Sequence, residues 1–508
     1  MIKRVAAAVL ALSFAGSLQA DDEHHSHPVP EKLGSVNFAN SCNLAVKPAF
    51  ERAVALLHSF AYTPSEQAFH DVANRDPHCA IAYWGMAMTH YHPLWEIPSA
   101  DEFRQGAEQI RKAVDLRAGT PRERQFIDAL AVYYRDPEHA TPAVRAERYA
   151  SAMAGVARDN AGDSEAQIFY ALALLATAPP TDKTHSNQKR ATAILEPLYR
   201  LQPQHPGLAH YLIHAADSAE LAPQGLAAAR EYSKIAPSAP HALHMPSHIF
   251  TRLGLWDDSV ASNLAARAAA HEQGDIGEEL HAMDYLTYAY LQRGRYKEAE
   301  QVVVELRSLT NISAAHFKEG YAATAMPVRF AIERRDWKSA TSLAPLPQSP
   351  PHVTALVYWA HALGRARSQP AQSSDADIGK LEDCRRELQS AGNTYWATQV
   401  DVLLKEAQAW RSVAHGEPEA AILSLRTAAD QEDALEKLPV TPGPVVPARE
   451  QLGELLLDLK RPDEALQAFR AALATAPRRR GALNGAITAA ERLGNTEVAT
   501  QLRAELTR

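Results

Sequence analysis

Cysteine is scarce in this sequence, with three residues (Cys42, Cys79 and Cys384) in a chain of 508 and no CxxC pair. A cysteine zinc knuckle and a thiol redox enzyme are poor fits to that count, and the missing CxxCH removes covalently attached haem. Cys42–Cys79 is a candidate disulfide in an oxidising compartment, tying the N-terminal segment to an early helix. Three unpaired, partly buried thiols are the other reading, and the count leaves both open. Aromatic residues make up only 7 %, and no stretch alternates apolar and polar residues for long enough to build a sheet. A long basic run is missing too. With a net charge of -8, the composition speaks against a nucleic-acid partner. Beyond the N-terminus no apolar segment is long enough to span a bilayer.

The N-terminus is built differently from the rest. Lys3 and Arg4 precede an apolar run from Val5 to Leu18, and small residues lead to Ala20. That is the layout of a cleaved secretory signal over residues 1–20, with an uncleaved anchor as its rival. Residues 21–45 follow as a flexible leader that opens on Asp21-Asp22-Glu23-His24-His25-Ser26-His27. Such a tract either captures divalent metal in passing or is simply solvated. The expectation is an exported chain with no transmembrane segment once the signal is removed.

From Val46 onward the apolar residues keep a helical period. Within this background the histidines have a rhythm of their own. His210 and His214 are spaced i, i+4, as are His244 and His248, so each pair shares one face of a helix. The second pair follows the first by 34 residues, the length of a helix-turn-helix repeat. A third helix carries His281, Asp284 and Tyr285. Pro246 sits between the histidines of the second pair, where it predicts a helix that starts late and a geometry for His244 unlike that of His210.

The repeat is most regular near the C-terminus. Leu452-Gly453, Ala465, Phe469, Ala472 and Pro477 fall at positions 7, 8, 20, 24, 27 and 32 of a 34-residue unit that begins at Val446. This pattern resembles the tetratricopeptide repeat (TPR) family. Gly453 and Ala465 would let two helices approach closely, Phe469 would fill the gap to the next unit, and Pro477 would close the second helix. The resemblance implies an all-α fold, a right-handed superhelical solenoid. We expect an N-terminal array over residues 46–367, a linker at 368–377 rich in Ser, Gln and Asp, and a C-terminal array over 378–508. Asp76-Pro77-His78-Cys79-Ala80-Ile81-Ala82-Tyr83-Trp84-Gly85 and His244-Met245-Pro246-Ser247-His248-Ile249-Phe250 resemble phrases in exported bacterial TPR proteins of unassigned activity. That resemblance implies a periplasmic location.

In TPR proteins positions 2, 5, 9 and 12 of the first helix line the concave groove. With Gly225, Ser259 and Ala299 each set at position 20, His210 and His214 fall at 5 and 9 and Asp217 at 12. His241, His244 and His248 then fall at 2, 5 and 9, and His281, Asp284 and Tyr288 at 2, 5 and 9. Imidazole and carboxylate are the ligands of divalent transition metals, here zinc, copper, iron or manganese. His210, His214, His244, His248, His281 and Asp284 are therefore candidate metal ligands. Asp217, His241 at the rim, and Tyr288 are candidates for the surrounding groove.

Three readings of this cluster compete. The leading one is a TPR protein that binds a protein or peptide partner and holds a metal on its concave face. A metal-dependent hydrolase or oxygen-activating enzyme would use the same cluster with an open coordination position. In the third, the histidines are hydrogen-bond donors to a bound peptide. The glutamate of HExxH is absent, so a zincin is a poor match.

Overall fold

The computed structural model describes residues 31–508, except 95–96, 118, 369–370 and 508. The proposed signal and residues 21–30 of the leader lie outside the described residues. Within them the protein is all-α, built of repeating paired helices in a TPR-like solenoid. Consecutive helices pack on each other, and each first helix also touches the first helix of the next pair, as in Ile276–Arg293 with Phe317–Glu333. Among the described residues no helix is long and apolar enough to cross a membrane.

Local sequence sets the helix ends. Ser99 and Thr120 open their helices with reciprocal capping boxes to Glu102 and Glu123, which satisfy backbone donors that the first turn leaves orphaned. Proline opens several others at the first position, among them Pro206–Ala215, Pro240–His244 and Pro246–Arg252, where its missing N–H costs nothing. Gly274 and Gly294 close two helices in the left-handed conformation.

Packing between repeats follows the small-and-large pattern of the sequence. The Phe469 ring lies so close to two glycines that a Cβ on Gly453 would come within 2.7 Å of it, and one on Gly485 within 2.2 Å. Phe69 and Gly85 repeat the arrangement near the N-terminus, at 2.4 Å. A Cys42–Cys79 disulfide joins the segment ahead of the first helix to the start of Ala80–Thr89. Of the expected linker, Asp375, Ala376 and Asp377 are already helical, in Asp375–Ser390, which follows Pro351–Arg367. Those helices pack together, and one hydrophobic core continues past them from Tyr321 to Leu502.

One non-helical stretch lies across the middle repeats as a strap. Between Pro418–Asp433 and Ala448–Asp458 the chain runs through Leu438-Pro439-Val440-Thr441-Pro442-Gly443-Pro444. Arg329 donates to the carbonyls of Gly443 and Pro444, Arg479 to that of Val445, and Tyr285 Oη stands 3.2 Å from those of Pro439 and Thr441. Three prolines cannot join a helix ladder, so these side chains fix the strap instead.

Candidate metal centre

Beneath the strap six imidazoles meet in two sets of three, and none is more than 8 % exposed. The first set is His210, His214 and His241; the second is His244, His248 and His281. In each set the ligand atoms lie within 4.8 Å of one another. Pro206–Ala215 carries the first i, i+4 pair on one face, with Nε2 atoms 3.0 Å apart. The second pair spans the junction of Pro240–His244 and Pro246–Arg252. The proline divides the helix as expected, but Met245 keeps a right-handed helical backbone (φ -52°, ψ -37°), and His244 Nε2 still stands 3.0 Å from His248 Nε2. The two pairs thus keep equal spacing despite the break.

The repeat explains why there are two sets. Each takes positions 5 and 9 of one unit and position 2 of the next: His210 and His214 with His241, then His244 and His248 with His281. His241 is therefore a member of the first set rather than a rim residue. In the third unit positions 5 and 9 are Asp284 and Tyr288, and there the series stops. Asp284 is not brought to the histidines. Its carboxylate accepts from Arg329 Nε at 3.3 Å, with both side chains fully buried, and Tyr288 Oη accepts from Arg479 Nη1 at 3.3 Å.

The hydrogen bonds behind the rings fix where the protons are. His210 Nδ1 donates to the His58 carbonyl at 2.6 Å, and His241 Nδ1 to the Glu278 carboxylate at 3.2 Å. His244 Nδ1 donates to Asn263 Oδ1 at 2.6 Å; Asn263 is oriented by its own amide, which donates to the Ser259 carbonyl. His248 Nδ1 donates to Asp217 Oδ2 at 2.9 Å. A neutral imidazole with its proton on Nδ1 has only a lone pair on Nε2. His244 Nε2 and His248 Nε2 thus face each other as two acceptors, and His210 Nε2 turns its lone pair toward His241 Nε2 at 3.2 Å. Lone pairs at such distances repel unless a cation lies between them.

In the second set burial works against a proton in that place. Burial, reinforced by the neighbouring imidazoles, pushes His210, His214, His244 and His281 well below the usual histidine range. Burial likewise takes His248 down to about 4, against the opposing pull of Asp217. Burial thus favours the neutral form of these rings, the form in which imidazole binds a metal. Nitrogen ligands about 2.0–2.1 Å from a tetrahedral ion stand about 3.3–3.4 Å apart, close to the separations seen here.

The carboxylates behind the rings stay ionised. Lys318, 2.6 Å from Glu278, and then His241 hold that carboxyl well below its ordinary range in spite of burial. Lys437 and Arg252 do the same for Asp217, at 3.0 and 2.9 Å. Carboxylate–histidine pairs of this kind orient ligand rings and raise their basicity. Phe60 packs edge-on to His210 at 4.4 Å and also touches His214 and His241, with its backbone in the left-handed region at φ 53°. That conformation is unusual for a bulky residue and is held by its surroundings.

Sequence reasoning names Asp217 and the six histidines but not Glu278, Asn263, Phe60 or the strap. Glu278 lies one turn before His281, on its face of the helix, and is open to the same periodicity argument. Asn263, Phe60 and the strap reach the site only through tertiary packing. A further buried trio, His58, Glu165 and His205, adjoins the first set. Glu165 accepts from His58 Nε2 at 3.0 Å and from His205 Nε2 at 2.9 Å. His90, outside these clusters, pairs with Glu66 at 3.1 Å.

No family model and no curated protein matches this sequence. Among solved structures, the TPR domain of P58(IPK) matches with 12 % identity over 89 % of this chain and 99 % of its own, at a TM-score of 0.22. A human IFIT1 dimer with m7Gppp-AAAA matches with 13 % identity over 84 % of this chain and 89 % of its own, at 0.33. An IFIT1 monomeric mutant with Gppp-AAAA matches with 11 % identity over 84 % and 90 %, at 0.36. At these TM-scores none of them bears on the fold or the site, which stand on this chain's own helices and side chains.

Proposed function

We propose that this chain is a metalloprotein that holds divalent transition metal in the two histidine sets. The observation that carries the reading is the convergence of three imidazoles in each of two buried sets, with the Nδ1 protons of His244 and His248 committed outward and their Nε2 lone pairs facing each other. His210, His214, His241, His244, His248 and His281 are the ligands in this reading. Glu278, Asp217 and Asn263 orient them, and Asp284 is left to its partner Arg329. Three nitrogens per set leave a coordination position for an exogenous ligand. That keeps a metal-dependent enzyme, hydrolytic or oxygen-activating, as the second reading.

Partner binding, the common use of TPR-like repeats, belongs in this reading to exposed faces of the repeats, because a buried ring cannot contact a peptide. We also propose that the chain is an exported, periplasmic bacterial protein. The signal-like start supports export, and the Cys42–Cys79 disulfide fits an oxidising compartment.

The test is elemental mass spectrometry on protein purified without an affinity tag of histidines, beside His210→Ala/His244→Ala. Stoichiometric zinc, copper, iron or manganese, lost in the double variant, is the expected result. Metal-free protein that takes up added ions only weakly, and no better than the variant, would sink the reading.

A further inference from the structure

The two sets are not independent. The rings of His214 and His248 lie 6.1 Å apart, and those of His241 and His244 6.2 Å apart, so the sets are immediate neighbours. One narrow cavity is lined by His241 from the first set and by His248 and His281 from the second, and the strap closes it with Pro439 and Val440. Ions held in the two sets would face a common space, each with its open position toward the other.

The donor set narrows the metal. All six inner ligands are neutral nitrogens, and no carboxylate stands where it would bridge two ions. Hard ions that prefer oxygen, manganese among them, are disfavoured by such a set, whereas copper and zinc accept imidazole readily. Charge then separates those two. Glu278 is matched by Lys318, and Asp217 by Lys437 and Arg252, the last also 3.8 Å from Glu436. The surroundings therefore offer no net negative charge to offset bound ions. Repulsion between neighbouring ions scales with the product of their charges, so two dications repel about four times as strongly as two monocations at one distance. Zinc has only the dication, whereas copper has a monovalent state that is satisfied by three nitrogens.

Resting on the metal reading above, we infer that the two sets form one binuclear copper centre whose exogenous ligand is dioxygen. Each Cu(I) gives one electron to dioxygen, which is held between two Cu(II) ions as its two-electron-reduced dianion. No proton is needed, and the net charge of the site is unchanged by binding. Phe60 and the strap keep bulk water from the reduced ligand.

The test loads the whole mature chain with Cu(I) under anaerobic conditions, with zinc in competition, and then admits dioxygen. Bound metal is counted by elemental mass spectrometry and unpaired spins by electron paramagnetic resonance. The expected result is two coppers per chain, a new near-ultraviolet charge-transfer band on oxygenation that reverses under vacuum, and almost no spin signal, because the two Cu(II) ions couple through the bridge. His281→Ala, checked for folding by circular dichroism, should hold a single copper that gives a full single-ion spin signal on oxidation. One copper per chain in the unaltered protein, two coppers with independent spins, or preferential filling by two zinc ions would overturn the binuclear copper centre and leave the metal reading standing. No metal retained above the His210→Ala/His244→Ala level would remove both. The spin count of the unaltered protein decides the matter even if the variant fails to fold.

Discussion

Two neighbouring clusters of this protein bury the same kind of side chain and resolve it in opposite ways. In His58–Glu165–His205 a carboxylate lies between two imidazoles and accepts from both, at 3.0 and 2.9 Å. Burial disfavours the charged Glu165, yet His58 and His205 hold it far below the usual carboxylate range. His58 Nδ1 meets the Tyr211 hydroxyl at 3.0 Å. Both Nε2 donors meet the one carboxylate, and of the trio's ring nitrogens only His205 Nδ1 is left without a hydrogen-bond partner. In the two histidine sets the carboxylates stand behind the rings and draw the protons outward, leaving acceptors face to face. Proximity of metal-type ligands is common to both clusters. What separates a candidate metal site from a satisfied core network is the direction of the hydrogen bonds.

The comparison breaks most sharply at Glu165. Glu165→Ala removes the acceptor from two fully buried imidazoles, and loss of one member of such a pair costs about 3–5 kcal/mol. Chemical denaturation should show that loss while the metal content per chain stays at its unaltered value. A fall in bound metal in proportion to the loss of stability would mean that the trio belongs to the centre. Next in size is metal removal. A ligand at about a hundred times its dissociation constant stabilises the folded state by about 2.7 kcal/mol, so chelation should lower the unfolding temperature of the unaltered chain. The same treatment should leave His210→Ala/His244→Ala unmoved in calorimetry.

Much of the site is legible in the residues alone. The 34-residue spacing of the two histidine pairs follows from the repeat, and so does the register of Gly453, Phe469 and Gly485. A repeat positions its residues by sequence alone, because every unit makes the same turn. Register misleads where tertiary partners differ between units. Asp284 occupies the same register as His210 and His244, but Arg329, brought by the helix Phe317–Glu333, claims its carboxylate. Position 2 puts His241 at the rim of its own unit. The three-membered sets form across units, which no single-unit register can show. The strap is the least legible part, since its prolines mark a loop without saying what it covers. Its anchors, Tyr285, Arg329 and Arg479, lie far from one another in sequence.

A finer cut separates ligands from the groups that orient them. Glu278→Gln keeps the size of the side chain and a hydrogen bond to His241 Nδ1, but removes the negative charge behind the ring. Loss of such a partner typically weakens metal binding by about 10–100-fold. Competition titration against a chromogenic chelator should show a change in that range for the ion of the first set and a smaller one for its neighbour, since Glu278 also acts on His244 and His281. Asp217→Asn should act on the ion of the second set, because Asp217 orients His248. Equal weakening of both ions by either variant would show that the two sets load as one unit and cannot be resolved into separate affinities.

A third buried cluster extends the comparison to carboxylates without imidazole. Glu406 lies in the interior of the C-terminal repeats beside the half-buried Glu432, which accepts from the Ala448 N–H at 2.9 Å. Burial pushes the Glu432 carboxyl up to about 7, and burial together with the Glu432 charge raises Glu406 well above its ordinary value. This cluster is relieved neither by a cation nor by outward hydrogen bonds, but by keeping protons. A carboxyl whose folded-state pKa lies above its unfolded value binds protons more tightly when folded. Its stabilising contribution is therefore complete below the unfolded pKa of about 4.5 and declines as the pH rises through the folded value. Gln at position 406 keeps the shape and cannot lose a proton. Glu406→Gln should match the unaltered chain near pH 5 and exceed its stability near pH 8, measured by urea unfolding of metal-free protein. Equal stabilities at both pH values would place Glu406 among ionised, satisfied carboxylates such as Glu165, leaving the histidine sets as the one cluster of the three that awaits a charge from outside.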